Sequence, residues 1–332
     1  MTDTAFSEFH DELRTAAGEL LAKDRAPDWA VLVEAGWTGL EVPERLGGAG
    51  ATFVETALVL EQIGRAAAAS HYLGSAVLAT GALNLLSPSS GRDELLSGVA
   101  SGRSRLAVIA DGFTVDGATL TGHAAFVPDA VGAERLLVLT GGAVAVVDSA
   151  QVTVAAQPVV DETRGLATVT ADAAGIADLL TFDGDAEALR HRAELAVACD
   201  SLGLAEQMLT ATVDYVKVRH QFGRPIGSFQ AVKHACADML VAIEVARRLI
   251  SDAVGVLADG GDAAVPAAMA KSYACSAAVE VAGKAMQLHG GIGYTWESGI
   301  HVYLKRATLN RALFGSPAAQ RKRLSQRYSK GI

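Results

Sequence analysis

The stretch Leu106-Ala107-Val108-Ile109-Ala110-Asp111-Gly112-Phe113-Thr114-Val115-Asp116-Gly117-Ala118-Thr119-Leu120-Thr121-Gly122 is where the chain changes period. Before it, from about Phe6 to Gly102, apolar residues recur at helical spacing, with breaks at Gly47-Gly48-Ala49-Gly50, before Gly74, and at Ser87-Pro88-Ser89-Ser90-Gly91. The last break also invites a helix start, because Ser side chains accept hydrogen bonds from the first free backbone N–H groups. From Arg105 onward the runs are short and rich in Val, Leu and Thr: Leu106 to Ala110, Ala118 to Thr121, Arg135 to Leu139, Val144 to Val147, Val152 to Val154 and Leu166 to Thr170. Turns such as Asp116-Gly117, Thr121-Gly122 and Gly141-Gly142 separate them at the close spacing of an antiparallel sheet or small barrel.

From about Asp185 the helical period returns. Phe229, Val232, Cys236, Met239, Ile243, Ala246 and Ile250 step by three or four and line one face of a long helix. Val265 to Leu288 is dominated by small residues that let helices approach closely. The expected fold is α+β multidomain: an N-terminal helical domain at 1–104, a middle antiparallel β domain at 105–183, and a C-terminal four-helix bundle at 184–332.

With 332 residues, half of them apolar, and 8 prolines, the chain supports a sizeable core. Its 28 basic and 37 acidic residues leave a formal charge of -9, so no broad positive field is available to hold nucleic acid or an anionic membrane. Asp3, Glu8, Asp11 and Glu12 interrupt any apolar core of a signal peptide, and no apolar run approaches the roughly 20 residues of a membrane-spanning helix. The expected location is the cytoplasm. Cys199, Cys236 and Cys275 have no CxxC spacing and read as small core residues rather than a disulfide framework or zinc site.

Five stretches resemble the acyl-CoA dehydrogenase family. They are Glu34 to Gly48, Leu60-Glu61-Gln62-Ile63-Gly64-Arg65, Val115 to Gly122, Arg219-His220-Gln221-Phe222-Gly223-Arg224-Pro225-Ile226 with Phe229-Gln230, and Gln287-Leu288-His289-Gly290-Gly291-Ile292-Gly293-Tyr294. The resemblance covers nearly the whole chain, in the family's order. It implies an FAD-dependent enzyme. Arg219 then matches the arginine that meets the pyrophosphate of a flavin held mainly by a neighbouring subunit, which a guanidinium answers with a charged fork. Gln221 and Phe222 match neighbouring contacts, Gln230 an adenine-side contact, and Gln287, Gly290 and Gly291 the turn where backbone approaches the cofactor.

The resemblance breaks at the chemistry. Removing a proton beside a thioester carbonyl needs a general base, and the family uses a glutamate in one of two positions. Counting from Gly291 places Phe314 at the first; counting ten residues back from Gly203 places Ala193 at the second, with Glu194 adjacent as the fallback. One residue turns a helical side chain by about 100°, so Glu194 is expected to point away from the site. The segment that covers the flavin ring in the family is missing or shortened between Ala110 and Thr114.

The pattern is similar to the base-less subunit of heteromeric (α2β2) acyl-CoA dehydrogenases of actinobacterial steroid degradation. That implies a catalytic partner subunit, a bulky acyl-CoA substrate and an electron-transferring flavoprotein as acceptor, with no nucleic acid or membrane partner. Two other readings stay open. One is a homomeric dehydrogenase with a non-standard base, Glu194 first and Glu297 second. The other is a scaffold or nucleic-acid binder on the same fold, against which the charge of -9 counts.

Overall fold

The computed structural model describes residues 3–183 and 186–329. The expected domain boundary at residue 184 and the two chain ends lie outside them. Helices α1 (Asp3–Lys23), α2 (Trp29–Glu34), α3 (Phe53–Ala66), α4 (Ala79–Asn84) and α5 (Ser90–Ala100) come first. Strands β1 (Leu106–Ile109), β2 (Phe113–Asp116), β3 (Thr119–Pro128), β4 (Arg135–Thr140), β5 (Ala143–Asp148), β6 (Thr153–Ala156), β7 (Leu166–Gly175) and β8 (Asp178–Thr181) follow. Then come α6 (Glu187–Val218), a small hairpin of β9 (His220–Gln221) and β10 (Arg224–Pro225), and helices α7 (Gln230–Ala258), α8 (Ala264–His289), α9 (Ile300–Ala312) and α10 (Pro317–Ser329). A helical N-terminal part, a sheet-built middle and a helical C-terminal part thus follow the order of the periods. Among the described residues no helix is long and apolar enough to cross a membrane.

The chain divides into two compact units, one of residues 26–56 and 69–193, the other of residues 1–25, 57–68 and 194–332. The first unit carries two four-stranded sheets, ordered β1-β4-β5-β8 and β2-β3-β7-β6. One core of small and branched residues, including Ile109, Leu120, Leu136, Val138, Val147, Ala167 and Val169, is shared by both. Pairing is antiparallel except between β1 and β4, which run parallel. The exception follows from connectivity: only Ala110, Asp111 and Gly112 separate β1 from β2, and β2 leaves for the other sheet, so β1 meets β4 in the same direction.

Helix α5 starts as its serines suggest, with Ser89 Oγ accepting the Arg92 N–H at 3.2 Å. The turn expected before Gly74 lies at residues 67–71, after α3. Gly74 itself sits inside a π-helical segment, Tyr72–Leu78, where its N–H donates to Asp129 Oδ2 at 2.6 Å. A Cβ there would sit 2.6 Å from the Pro128 carbonyl, so close approach, not a turn, requires glycine. Deeper in this unit the Glu41 carboxylate accepts from Arg192 and, at 2.5 Å, from Thr56, while Arg192 Nε donates to the Val77 carbonyl at 2.8 Å.

In the second unit α7 buries Met239, Ile243, Ala246 and Ile250, the face read from its period, whereas Val232 and Cys236 near its start are only partly covered. Cys199 and Cys275 are buried. Helix α8 packs Ala267, Ala270, Ala274, Ala278, Ala282 and Ala285 inward, the small side chains that let α7, α9 and α10 close on it. Helices α3 and α6 touch backbone to backbone: a Cβ on Gly64 would lie 2.0 Å from the Asp200 carbonyl oxygen, and one on Gly203 would lie 1.9 Å from that of Glu61.

At that contact Glu61 faces Glu206. Arg247 pairs with Glu206 and lies 3.9 Å from Glu61, with Arg65 3.3 Å from Glu206. Burial, aided by the charge on Glu206, pushes the Glu61 carboxyl up to about 7, against the pull of Arg247, Arg14 and Arg65. A carboxyl raised in the folded state keeps its proton there while the unfolded chain releases it. Its contribution to stability is therefore full below the unfolded value of 4.5 and is lost as pH rises through about 7. Glu61→Gln is expected to stabilise the chain at about pH 8 by on the order of 1–3 kcal/mol and to leave it nearly unchanged at about pH 4. Urea unfolding at both pH values checks this, and an equal effect at the two would sink it.

Candidate cofactor site

Helix α6 ends in a polar arm. The Arg219 N–H still bonds to the Tyr215 carbonyl at 2.9 Å, and then the chain turns back through the β9–β10 hairpin, in which Gln221 pairs with Arg224 and His220 with Pro225. Phe222 (φ +53°) and Gly223 (φ +76°) form its two-residue tip. Two left-handed residues in sequence make a type I′ turn, whose twist suits a tight hairpin but which a bulky side chain rarely enters. The Ile226 N–H returns to the Arg219 carbonyl at 2.8 Å, and Gly227 packs on the last turn of α6, where an added Cβ would lie 3.0 Å from the Val216 carbonyl oxygen. Phe229 stands under the arm, with Arg224 4.1 Å above its ring and Phe222 edge-on at 6.1 Å. Gln230 opens α7 immediately afterwards.

The second segment is the end of α8. Gly290 takes φ +65° and ψ −143°, a conformation closed to residues with a side chain. The missing Cβ positions of Gly290 and Gly291 face open space, whereas Gly293 is pressed against the Met286 carbonyl, 2.3 Å from where its Cβ would be. Two of the three glycines thus leave backbone exposed to an approaching group, and the third is needed for packing. Gln287 Oε1 accepts from the Tyr294 hydroxyl at 3.3 Å.

Tyr215 and His289 bring these segments together. Their rings stack at 4.3 Å and 19°, and the tyrosine hydroxyl donates to the His289 carbonyl at 3.2 Å. All seven residues expected to meet a flavin, Arg219, Gln221, Phe222, Gln230, Gln287, Gly290 and Gly291, are exposed at this one end of the unit. The Arg219 guanidinium has no hydrogen-bond or ion-pair partner among the described residues. An uncommitted guanidinium, exposed carboxamides and an open glycine backbone fit an anionic dinucleotide. The same two segments expose large apolar side chains: Phe222 is 90%, Trp296 74%, Val218 72% and Tyr294 66% exposed. Patches of this kind mark contact surfaces.

The residues expected at the family's two glutamate positions offer no accessible base. Phe314, at φ +54°, is half-buried in the turn between α9 and α10, and its carbonyl accepts from Gln320 Nε2 at 3.1 Å. Ala193 is buried. Glu194 is fully buried, and its Oε1 accepts from the same Gln320 Nε2 at 3.1 Å and pairs with Arg323. It is therefore one side chain removed from the Phe314 turn, closer than a helical rotation alone suggested, but committed to α10. Its Oε2 has no partner among the described residues. Glu297 is exposed, in the 3-10 turn Trp296–Ser298. Sequence reading missed Tyr215, Gln320 and Arg323, whose roles depend on contacts across 74, 126 and 129 residues that no local spacing announces.

Comparison with known proteins agrees with this fold. Residues 1–103 match the family model described as acyl-CoA dehydrogenase, N-terminal domain, and residues 187–329 the one described as acyl-CoA dehydrogenase, C-terminal domain. The chain is 32% identical to acyl-CoA dehydrogenase IpdE2 of Mycolicibacterium smegmatis, over 96% of this chain and 98% of that protein. Among solved structures it is similar to a variant of the Tcur3481-Tcur3483 steroid ACAD, with a TM-score of 0.89 at 28% identity over 98% of this chain and 99% of that one. It is also similar to a chain of the ChsE4-ChsE5 complex from Mycobacterium tuberculosis, with a TM-score of 0.88 at 26% identity over 99% and 98%. A relative above 30% identity along almost the full length, with both family models in order, establishes that the chain belongs to the acyl-CoA dehydrogenase family of oxidoreductases.

Proposed function

We propose that this chain is the flavin-sharing, non-catalytic subunit of a heteromeric acyl-CoA dehydrogenase that desaturates a bulky acyl-CoA in the cytoplasm. One observation carries the reading: an unpaired Arg219 and an open Gly290-Gly291 turn stand on an exposed apolar face, while Phe314 and Ala193 occupy the two positions of the family's glutamate. A flavin end kept without a base suits a chain that completes its neighbour's site. The tight Ala110-Asp111-Gly112 link supports it, since it leaves no segment there to cover a flavin ring. The names of the relatives support the assembly and the substrate class: one is a two-component complex and another a steroid dehydrogenase.

Bound FAD supplies the hydride acceptor of the desaturation. This chain's part is binding. Arg219 neutralises pyrophosphate charge, the Gly290-Gly291 backbone comes close without a clashing Cβ, and the Phe222 and Trp296 surface excludes water once a partner covers it. The proton is taken by a base on the catalytic partner, and an electron-transferring flavoprotein receives the electrons.

Co-expression with the product of the neighbouring open reading frame tests the assembly: this chain alone is expected to be flavin-free or poorly soluble and the complex yellow. One flavin per chain in a homo-oligomer made of this chain alone would contradict the proposal. Arg219→Ala is expected to release flavin from the complex on dialysis with the fold intact, since a lost charged hydrogen bond costs about 1.5–3 kcal/mol. Glu194→Gln should lower the thermal midpoint, because it weakens the pair of buried Glu194 with half-buried Arg323, yet leave turnover of the folded complex almost unchanged. A loss of roughly 10² to 10⁴ in turnover with flavin still bound would instead make Glu194 the base.

A further inference from the structure

We propose that Tyr215 and His289 act as a positioning pair, a latch that holds the Arg219 arm and the Gly290-Gly291 turn at the separation needed for both to engage one flavin dinucleotide. The inference rests on the flavin reading above and adds what makes the two halves of the site one site.

Each half is built independently of the other. The arm closes on its own helix through the Ile226–Arg219 and Gly227–Val216 contacts, and the turn closes on its own helix through Gly293 and Met286. No other hydrogen bond or ring contact among the described residues joins residues 215–230 to residues 285–294. Remove the pair, and the two segments keep their shapes but lose their polar tether.

The pair is well placed for that task. Tyr215 is bonded through its own carbonyl to the Arg219 N–H, so fixing Tyr215 fixes the root of the arm. Its hydroxyl donates to the carbonyl of His289, the peptide oxygen directly before Gly290, so one hydrogen bond orients the peptide plane from which the open turn departs. The imidazole is held from the other side. His289 Nδ1 lies 2.8 Å from the Ala285 carbonyl, an acceptor only, which makes Nδ1–H the donor and fixes the ring plane against Tyr215. A stacked pair with both rings anchored restricts sliding as well as separation. Neither side chain touches reacting atoms, so the expected effect is on cofactor retention and local order.

The test uses the assembled complex and reads the rate of flavin release after dilution, the thermal midpoint, and amide hydrogen exchange at residues 219–224 and 290–293. Tyr215→Phe keeps the stack and deletes the hydroxyl, and is expected to speed release by about 2- to 12-fold with little change in midpoint. Tyr215→Leu deletes both and is expected to speed it by about 5- to 150-fold, with faster exchange in both segments. His289→Phe keeps ring and main-chain carbonyl and should release flavin more slowly than His289→Leu. If Tyr215→Leu lowers the midpoint but leaves release and exchange unchanged, the pair is a packing contact and the proposal is overturned. Arg219→Ala is run alongside. Flavin lost in that variant but retained in both Tyr215 variants defeats the latch alone, whereas flavin retained in Arg219→Ala defeats the flavin reading and the latch with it. Should Tyr215→Leu not fold, Tyr215→Phe decides by release rate.

Discussion

An arginine sealed from water sets the terms for the C-terminal helical unit. Arg306 on α9 and Asp200 on α6 are both buried, joined by two hydrogen bonds of 3.1 and 2.6 Å. Burying two charges is tolerable only when every polar atom is met. The surroundings comply: Arg306 Nη1 donates to the Ala68 carbonyl at 2.7 Å, and Asn310 Nδ2 donates to Asp200 at 2.5 Å. Buried Lys271 on α8 reaches the Asn310 carbonyl at 2.6 Å, extending the chain of polar contacts to a third long helix. An apolar core tolerates small slips along a helix axis, but a bidentate ion pair does not. The axial positions of α6, α8 and α9 are therefore fixed, and with them the helix ends that carry Arg219 and Gly290.

Much of this was legible in the sequence because it depends on period. The α7 face of Met239, Ile243, Ala246 and Ile250 follows from side-chain spacing, as do the strand runs read at 106–110, 135–139 and 166–170, the last of which continues to Gly175 in the structure. Direction of pairing does not, since a strand alternates its side chains identically in either orientation, and the parallel β1–β4 pair was not foreseen. Glycines were legible only as interruptions. Gly64, Gly74 and Gly203 are instead points where two backbones touch, which depends on partners elsewhere in the chain. The seven expected flavin contacts came from resemblance to a family motif, and the structure adds what a motif lacks: a positive-φ Phe222 at a hairpin tip and the Tyr215–His289 stack.

The last helix makes contacts that the motif does not reveal. Gln320 donates both to the carbonyl of Phe314 and to Glu194, and Arg323 neutralises that same carboxylate. The Phe314 turn and the Glu194 carboxylate are thus held by one amide group, and that carboxylate serves to dock α10.

The apolar surface around Phe222 and Trp296 has a consequence for the cell as well as for the cofactor. Exposed aromatic side chains on a folded protein are what quality-control machinery engages and what drives self-association at high concentration. A subunit that hides them only inside a hetero-oligomer is safe only while its partner is present. Under the proposed assembly, synthesis of the two chains has to be matched, and a surplus of this one is removed or precipitates, so its abundance reports on that of its partner.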